Sequence, residues 1–500
     1  MAKLHSCSAD MSREYCATIV KIGEVIPIEN TDFLATVLVE GRDIVVRRDK
    51  VKEGDVMIYV SNESQLNFDF LSKNNEFRDE EYNSNYKEVC EKVGEMLNAG
   101  ISNEEVESFK AEHRGYFSKT ARVRMKKLRG VMSMGYLISL EQMEIFNEKF
   151  KDYNWGEYVG EDFDTVDDVL FVKAYVPEVK EGSGKGKGRA EKRIKKFDRM
   201  IPGQFAFHYD TDQLQRNMHR FSPETSVSIS TKVHGSSIIV GNVKVKNPRW
   251  GGLYAKIFNY LPKFLQYTVN EYDTVYSSRK VIKNAEYNPG LNHGFYDVDI
   301  WEKYYIILKD IIPHGMTIYG EVAGYVDGRS KGIQELGGVV YDYGCKEGDN
   351  IMMPYRIKTV DEEGNVTEYN VQDVYDYTVN NIIPALKELD EKNGTDWASH
   401  IMPIDILYNG TMMGLYPHMN PNEHWHENVL ECLKNESRFC MEKNEPLCKN
   451  KLPREGIVVR INDDPIPEAY KLKCLKFLGK EAEDMDKGKT NDEEMQERYN

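Results

Sequence analysis

The chain has 500 residues, of which 40% are hydrophobic and 30% charged, and its formal net charge is −16. This composition is typical of a globular protein with roughly two to four domains, and no run of about 18 apolar residues predicts a membrane-spanning helix. The acidic charge argues against a protein that coats nucleic acid indiscriminately. Eight scattered cysteines do not form a disulfide framework, which indicates an intracellular, cytoplasmic protein.

The first part of the chain is predicted to form a small barrel. Residues 16–60 contain short runs rich in Val and Ile, with breaks at Gly41 and Gly54, a pattern typical of closely spaced antiparallel strands. Polar residues with helical spacing interrupt these runs at about 67–115, so we expect a helical insertion there. The predicted first domain therefore comprises residues 1–175 and contains this insertion.

Two basic segments follow the predicted insertion. In A-R-V-R-M-K, the basic residues Arg122, Arg124 and Lys126 alternate with small or apolar ones, so one face of the predicted strand would be cationic. A barrel with a cationic face is suited to bind nucleic acid. Residues 176–200 are rich in Gly and Lys and lack periodic apolar positions, which predicts a flexible basic linker.

The second half of the chain centres on the stretch from Thr231 to Val240, T-K-V-H-G-S-S-I-I-V. Upstream of it, S-V-S-I-S alternates polar and apolar residues, which predicts a half-buried strand that ends at Lys232. Gly235 permits a tight turn into the next strand. A lysine on the rigid end of a strand suits a nucleophile or a phosphate-binding group, although a K-x-x-G sequence alone is a weak signal.

Further motifs follow downstream, each with charged or aromatic residues near a predicted strand end. They are Arg279 in V-Y-S-S-R-K, Glu321 in T-I-Y-G-E-V-A-G-Y, Tyr341 and Tyr343 in Y-D-Y-G-C, Glu455 in R-E-G-I-V-V-R-I, and Lys471 and Lys473 in Y-K-L-K-C-L-K-F. The two lysines of a K-x-K sequence on one strand project to the same face. The polar segment at about 346–450 is predicted to be an elaboration between core strands, and residues 481–500 to be an acidic tail.

In this order, the motifs resemble those of the covalent nucleotidyltransferase superfamily, which includes ATP-dependent polynucleotide ligases and mRNA capping enzymes. The resemblance covers about residues 205–480. In the N-terminal half, A-T-I-V-K-I-G-E-V-I-P-I-E and K-L-R-G-V-M-S-M-G-Y-L resemble the OB-type module that precedes the catalytic domain in OB-first RNA ligases. The resemblance implies an α+β fold. Residues 201–480 would form a nucleotidyltransferase domain with ATP-grasp-like antiparallel sheets and helices, preceded by an OB-like β-barrel.

The resemblance implies that Lys232 attacks the α-phosphate of ATP, and that Thr231 and Gly235 beside it belong to the nucleotide site. A free lysine amine has a pKa of ~10.4, so its neighbours must favour the uncharged form. Lys471 and Lys473 are the expected neighbours, because two cations disfavour a third charge. They would also hold the α-phosphate oxygens during catalysis.

The resemblance also implies which residues bind the rest of the nucleotide. Glu321 resembles the carboxylate that binds the ribose hydroxyls, and Tyr343, with Tyr341 as the alternative, resembles the aromatic residue that stacks on adenine. Arg279 would lie near the nucleotide and the RNA 3′ end. Glu455 would position a divalent metal, Mg²⁺ or Mn²⁺, or its water shell.

The activity that the resemblance implies is ATP-dependent RNA ligation. It joins an RNA 3′-hydroxyl to a 5′-phosphate through lysyl-AMP and a 5′-adenylylated nucleic acid, as in RNA repair or nick sealing. The expected partner is RNA or a nicked duplex that contains RNA, and we expect a monomer with no membrane partner. A GTP-dependent RNA guanylyltransferase and a non-catalytic RNA-binding protein stay open as alternatives. The chain departs from many ligases at Thr231, where they have glutamate, and at His234, where they have aspartate.

Overall fold

The computed structural model describes residues 3–7, 13–176, 199–208, 211–283, 296, 298–462 and 468–488. The chain folds into two compact units, residues 1–177 and 178–500, and both contain strands and helices. The predicted linker at 176–200 lies mostly outside the described residues, as do the last residues of the predicted acidic tail. In the ranges that the structure describes, no helix is long and apolar enough to cross a membrane.

Short strands dominate the N-terminal unit. They are β1 (Leu4–His5), β2 (Ala17–Lys21), β3 (Val25–Pro27), β4 (Leu34–Val39), β5 (Arg42–Arg47), β6 (Val56–Ser61), β7 (Ser64–Leu66), β8 (Lys126–Leu128), β9 (Val131–Ser133), β10 (Gly135–Ile138), β11 (Asp162–Phe163), β12 (Thr165–Val166), β13 (Val169–Leu170) and β14 (Val172–Ala174). The helices of this unit are α1 (Phe68–Lys73), α2 (Tyr86–Asn98), α3 (Asn103–Glu112) and α4 (Leu140–Phe146). Helices α1 to α3 lie between β7 and β8.

Alternating apolar residues direct one face of these strands inward. In β4, Ala35 and Val37 are buried, and the neighbouring strand β5 contributes Ile44. Strands β3, β4 and β5 form one sheet, while β10, β6, β2 and β11 form another. Tyr59 of β6 and Leu137 of β10 belong to the same hydrophobic cluster as the residues of β4 and β5, so the two sheets share one core.

A disulfide joins Cys7 to Cys16, immediately before β2. The scattered spacing of the eight cysteines predicts no disulfide framework and does not predict this bridge. The other cysteines are free thiols, namely Cys90, Cys345, Cys432, Cys440, Cys448 and Cys474. Because the bridged residues are 9 apart in sequence, the bridge closes a short loop and constrains the N-terminal segment rather than the body of the unit.

The C-terminal unit has longer strands. They are β15 (Asp212–Gln213), β16 (Ser226–Lys232), β17 (Ser236–Pro248), β18 (Thr268–Ser277), β19 (Ile282–Lys283), β20 (Met316–Gly324), β21 (Glu335–Leu336), β22 (Val339–Val340), β23 (Asn350–Val360), β24 (Val366–Glu368), β25 (Ile406–Thr411), β26 (Gly456–Ile461) and β27 (Ala469–Lys473). Its helices are α5 (Leu253–Ile257), α6 (Ile300–Leu308), α7 (Val371–Tyr377), α8 (Ile383–Asn393), α9 (Met412–Leu415), α10 (Trp425–Lys434) and α11 (Leu475–Asp486).

Two large sheets organise this unit. The first has the strand order β15-β27-β26-β16-β25, and we call it the lysine sheet because it contains Lys232, Lys471 and Lys473. The second has the order β19-β18-β17-β20-β23-β24, and we call it the glutamate sheet because it contains Glu321. The segment predicted as an elaboration at about 346–450 supplies β23 and β25, so it contributes to both sheets.

Alternation along β16 decides which face of the lysine sheet is polar. Val227 and Ile229 are buried in a hydrophobic cluster with Ile457 of β26 and Leu472 of β27. Successive residues of a strand point to opposite faces, so the residues between these apolar ones, ending with Lys232, lie on the other face. That polar face is where the candidate site forms.

The chain passes from the lysine sheet to the glutamate sheet directly after Lys232. Strand β16 ends at Lys232, residues 233–235 make the connection, and β17 begins in the other sheet. A Cβ atom on Gly235 would lie 2.4 Å from the Val322 carbonyl oxygen and 2.7 Å from Glu321 Cγ. A glycine permits this close approach, which brings the end of β16 next to the glutamate sheet.

Candidate active site

The predicted lysines lie on one face of the lysine sheet. In the antiparallel register, Lys232 pairs with Gly456 of β26, and Gly456 pairs with Lys473 of β27. Directly paired residues point to the same face of a sheet, so Lys232 and Lys473 flank the glycine. Lys471 lies two residues before Lys473 and shares that face. A Cβ on Gly456 would lie 2.1 Å from the Leu472 carbonyl oxygen, which requires a glycine between the two lysines.

Glu455 joins these cations through its carboxylate. Its Oε1 lies 2.7 Å from Lys232 Nζ and 3.8 Å from Lys473 Nζ, and its Oε2 lies 3.3 Å from His234 Nδ1. Burial acts to raise the pKa of Glu455, but Lys232 and His234 hold that pKa below its ordinary value. The motif resemblance implies a role for Glu455 with a metal, and it does not imply this ion pair with Lys232. Lysines therefore are not the only groups that surround the Lys232 amine.

The residues beside the nucleophile candidate are held by contacts to the core. Thr231 is buried, and its hydroxyl donates to Asp405 Oδ2 at 2.8 Å. The His234 backbone N–H donates to the Tyr343 hydroxyl at 2.7 Å, and the His234 ring packs edge-on against Tyr341, with 4.9 Å between centroids. The Thr231 side chain thus positions the end of β16, and its predicted place in the nucleotide site is not supported.

Glu321 faces Ser237 across two neighbouring strands of the glutamate sheet. The two residues are directly paired, and the Ser237 hydroxyl donates to Glu321 Oε2 at 3.3 Å. Burial raises the pKa of Glu321 to about 7, and the positive charges of Lys232 and Arg279 oppose this rise. Since electrostatic effects of this kind need proximity, Glu321, Lys232 and Arg279 border the same region.

Several cations surround His208, which precedes β15. Burial lowers the pKa of His208 well below its ordinary value, and the charges of Arg279, Arg356, Arg460 and Lys232 lower it further. The imidazole is therefore neutral near physiological pH. Among these cations, Arg356 is paired with Glu368 and Lys232 with Glu455, which reduces the positive potential that the group offers to an anionic ligand.

Tyr355 is an aromatic residue of this region that the sequence analysis missed. It lies on β23 where the pairing with β20 is irregular. Its hydroxyl lies 3.1 Å from His208 Nδ1, and burial followed by the charge of Glu321 raises the pKa of Tyr355. Pro354 is the signal in the sequence, since proline within a strand often indicates a bulge that redirects the next side chain.

Tyr341 and Tyr343 lie in the hydrophobic core instead. They are 0% and 4% exposed, and both belong to the cluster that packs behind the lysine sheet. The Tyr341 hydroxyl donates to the Pro453 carbonyl oxygen at 2.7 Å. An enclosed ring has no open face for a base, so the predicted stacking of Tyr343 on adenine, with Tyr341 as the alternative, is not supported.

The basic residues predicted to bind nucleic acid do not form an exposed row. Arg122 is 2% exposed, and two of its nitrogens donate to the Glu63 carboxylate at 2.7 Å each. Arg124 donates to a serine hydroxyl at 3.1 Å, and Lys126 Nζ lies 3.7 Å from the Tyr116 ring centroid. The predicted cationic strand face is wrong for Arg122, because a carboxylate neutralises its charge inside the unit.

The donor set fits a nucleotide better than a metal bound by protein groups alone. Within the described ranges, no group of three or more His, Cys, Asp or Glu side chains could hold a metal ion. Lys232, Lys471 and Lys473 supply positive charge for phosphates, and Glu321 supplies oxygens for hydroxyls. Magnesium bound through phosphate oxygens and water needs few protein ligands, so these residues fit a metal that enters with a nucleotide.

Comparison with known families bears on the N-terminal unit. A family model described as an OB-fold domain matches residues 16–102. The matched range contains the strands from β2 to β7 and helices α1 and α2. The prediction of an α+β protein that begins with an OB-type domain is therefore confirmed.

Comparison with solved structures finds similarity to an RNA ligase from Naegleria gruberi. A variant of that ligase with ATP and Mn is 14% identical, with a TM-score of 0.47 over 93% of this chain and 98% of that chain. An apo variant is 16% identical, with a TM-score of 0.47 over 94% and 99% of the two chains. The same ligase with PPi is 14% identical, with a TM-score of 0.47 over 93% and 98%. A comparison with curated proteins finds no match.

Proposed function

We propose that the protein is an ATP-dependent RNA ligase that joins a 3′-hydroxyl to a 5′-phosphate. The observation that carries the proposal is the position of the Lys232 amine. It lies beside Glu455, which also contacts Lys473, and its charge acts on Glu321 of the other sheet. The motif order, which resembles that of covalent nucleotidyltransferases, gives this arrangement its chemical interpretation.

In the first step, Lys232 Nζ in its amine form attacks the α-phosphorus of ATP. An N–P bond forms, the bond from that phosphorus to the bridging oxygen of the β-phosphate breaks, pyrophosphate leaves, and the nitrogen releases a proton. Lys471 and Lys473 would stabilise the negative charge that builds on the α-phosphate oxygens. Glu455, 2.7 Å from Lys232 Nζ, would orient the amine before the attack.

The remaining groups would place the nucleotide. Glu321 would bind the ribose hydroxyls, and with a pKa of about 7 its carboxyl can accept hydrogen bonds or, when protonated, donate one. Tyr355, which is only partly buried, replaces the core tyrosines as the candidate that stacks on adenine. Arg279 would contact a phosphate or the RNA 3′ end. A magnesium or manganese ion would neutralise phosphate charge, with Glu455 as its candidate protein ligand.

Two further steps would complete ligation. A 5′-phosphate oxygen of RNA attacks the phosphorus of lysyl-AMP, which frees Lys232 and forms a 5′,5′-pyrophosphate linkage. The RNA 3′-hydroxyl then attacks the 5′-phosphate, a phosphodiester forms, and AMP leaves. We assign RNA binding to the OB-type domain within residues 1–175, where Arg124 and Lys126 stay as candidates. The adenylylation chemistry belongs to residues 201–480, and repair of broken RNA or sealing of nicks would be the biological role.

Covalent labelling tests the proposal. We expect incubation with α-labelled ATP to transfer label to the protein on a denaturing gel, while α-labelled GTP transfers none. Lys232→Ala should abolish the label, whereas Lys309→Ala, which removes an exposed lysine at the end of α6, should leave it unchanged. Label from GTP would instead identify a guanylyltransferase, and no label from either nucleotide would indicate a non-catalytic RNA-binding protein. Sealing of a nicked duplex that contains RNA then tests the second half of the reaction.

A further inference from the structure

The tip of the β17–β18 hairpin, residues 249–267, exposes large apolar side chains. Leu253 is 74%, Tyr260 71% and Phe264 75% exposed, and Ile257 is also exposed. Monomeric proteins rarely expose contiguous large apolar groups, and such groups mark an interaction surface when they do. We call this surface the apolar tip. The candidate active site uses none of its residues.

The apolar tip is a folded structure. The Tyr254 hydroxyl donates to the Leu265 carbonyl oxygen at 2.7 Å and accepts from the Tyr267 N–H at 2.7 Å. The Gln266 side-chain amide donates to the carbonyl oxygen of Phe258, which is itself buried. These contacts hold the backbone of the tip in one shape, so the exposed side chains are presented by a built element.

The charge of the hairpin differs from that of the whole chain. The apolar tip, residues 249–267, contains three Lys or Arg and no Asp or Glu, in a chain with a net charge of −16. Arg249 lies beside the apolar side chains, with its guanidinium 5.7 Å from the Trp250 ring centroid, and Lys263 adjoins Phe264 in sequence. Basic residues around an apolar tip are complementary to a partner that is both apolar and anionic.

A lipid bilayer surface with anionic headgroups has this combination. Burial in the acyl region of the bilayer stabilises aliphatic side chains such as Leu253 and Ile257. Aromatic residues such as Trp250 and Tyr260 favour the membrane–water interface, and Lys and Arg bind anionic headgroups. Single-stranded nucleic acid fits less well, because Leu253 and Ile257 are exposed but offer no aromatic face on which a base could stack. The Trp250 ring already packs against Tyr254 and Tyr267, at 5.0 and 5.6 Å between centroids.

We propose that the apolar tip inserts into the surface of an anionic membrane and anchors the protein there. The expectation of no membrane partner rested on the lack of a long apolar run, and such a run is needed only to span a bilayer. Surface binding needs a smaller apolar area together with positive charge. This proposal stands independently of the ligase chemistry, since binding requires neither nucleotide nor RNA.

Vesicle sedimentation with the full chain, without ATP or RNA, tests the proposal. We expect binding to vesicles of phosphatidylcholine with phosphatidylserine, and about tenfold weaker binding to phosphatidylcholine alone. The double variant L253S/F264S should lose at least about tenfold in binding to the anionic vesicles. The matched control I26S/F33S, which removes exposed apolar residues of the N-terminal unit, should bind as the unchanged protein does.

Tryptophan fluorescence distinguishes insertion of the apolar tip from vesicle binding by another part of the protein. Trp250 is 50% exposed, so anionic vesicles should shift its fluorescence to shorter wavelength, and Trp250→Phe should remove the shift while sedimentation persists. The proposal is overturned if the unchanged protein ignores anionic vesicles or if L253S/F264S binds them equally. It is also overturned if that variant instead loses binding to an RNA oligomer, or converts a dimer to a monomer in light scattering.

Discussion

Each unit of the molecule contains an ion pair with a carboxylate, and the two pairs are built differently. In the N-terminal unit, two Arg122 nitrogens donate to Glu63 at 2.7 Å each, and the Arg122 side chain is 2% exposed. In the C-terminal unit, one Lys232 nitrogen lies 2.7 Å from Glu455, and the Lys232 side chain is 23% exposed. We call the first pair closed, because the Arg122 side chain is almost fully enclosed, and the second open, because the Lys232 side chain is partly exposed to solvent.

The difference between the pairs lies in what each cation can do. A guanidinium in a two-pronged pair has fixed geometry and keeps its proton, so Arg122 stabilises structure. A lysine amine can lose its proton and act as a nucleophile. Glu455 also contacts Lys473 and His234, so its carboxylate does not bind Lys232 alone. A partly open, shared pair is therefore the better candidate for chemistry than a closed one.

The largest expected effect comes from making the second pair resemble the first. Lys232→Arg keeps a cation beside Glu455, so we expect the free energy of unfolding to change by about 1 kcal/mol or less. Because arginine does not release its proton, self-adenylylation should fall by at least about 10⁴-fold. Labelling with α-labelled ATP and denaturant unfolding measure the two quantities. Substantial label on this variant would show that another residue is the nucleophile.

Breaking the Arg122–Glu63 pair should lower the stability of the protein and leave its adenylylation almost unchanged. Arg122→Met leaves the partly buried Glu63 carboxylate without its guanidinium, which should destabilise the N-terminal unit by about 3 kcal/mol. Adenylylation in the C-terminal unit should stay within about twofold, since the pair lies outside the chemistry. Lys127→Met, an exposed basic residue of the same segment, is the matched control and should cost about 0.5 kcal/mol or less. Equal unfolding curves for both variants would contradict the structural role of Arg122.

The same contrast explains which residues could be predicted from sequence. The K-x-K sequence of β27 predicts that Lys471 and Lys473 share a face, because strand periodicity is local information. Only the motif resemblance implied that Lys232 lies beside them, since the pairing of β16, β26 and β27 is not local. The enclosure of Arg122 could not be predicted, since its partner Glu63 lies 59 residues away. Tyr343 shows the same limit. The sequence shows that Tyr341 and Tyr343 are two residues apart. It does not show that both rings are buried, because the residues that cover them lie far away in sequence.

The candidate site itself contains two glutamates whose pKa values shift in opposite directions. The pKa of Glu455 is lowered, so its contribution to stability is present above the ordinary value of 4.5 and is lost as the pH falls. Burial raises the pKa of Glu321 from 4.5 to about 7, so its contribution is present below pH 4.5 and is lost as the pH rises through about 7. Glu321 thus differs from Glu455, because ionisation of Glu321 destabilises the folded protein.

Glu321→Gln isolates this effect because glutamine stays neutral at every pH. Relative to the unchanged protein, the variant should gain on the order of 3 kcal/mol of unfolding free energy between about pH 4.5 and 8. Denaturant unfolding at several pH values measures the gain. Glu347→Gln, at an exposed position, is the control and should show no such trend. A gain that is constant with pH would mean that Glu321 does not titrate differently in the folded state.

The smallest expected effect concerns the tyrosines, where the distinction between closed and open groups appears again. Tyr343 is enclosed, whereas Tyr355 is partly exposed near Glu321. Tyr355→Leu should weaken ATP binding about 3–10-fold, because an aromatic contact contributes about 0.5–1.5 kcal/mol beyond its buried area. Tyr355→Phe should bind almost normally, since stacking needs the ring and not the hydroxyl that approaches His208. Calorimetric titration in the Lys232→Ala background, where no adenylate forms, measures both affinities. If leucine binds as tightly as tyrosine, adenine does not stack at this position and a different residue must hold the base.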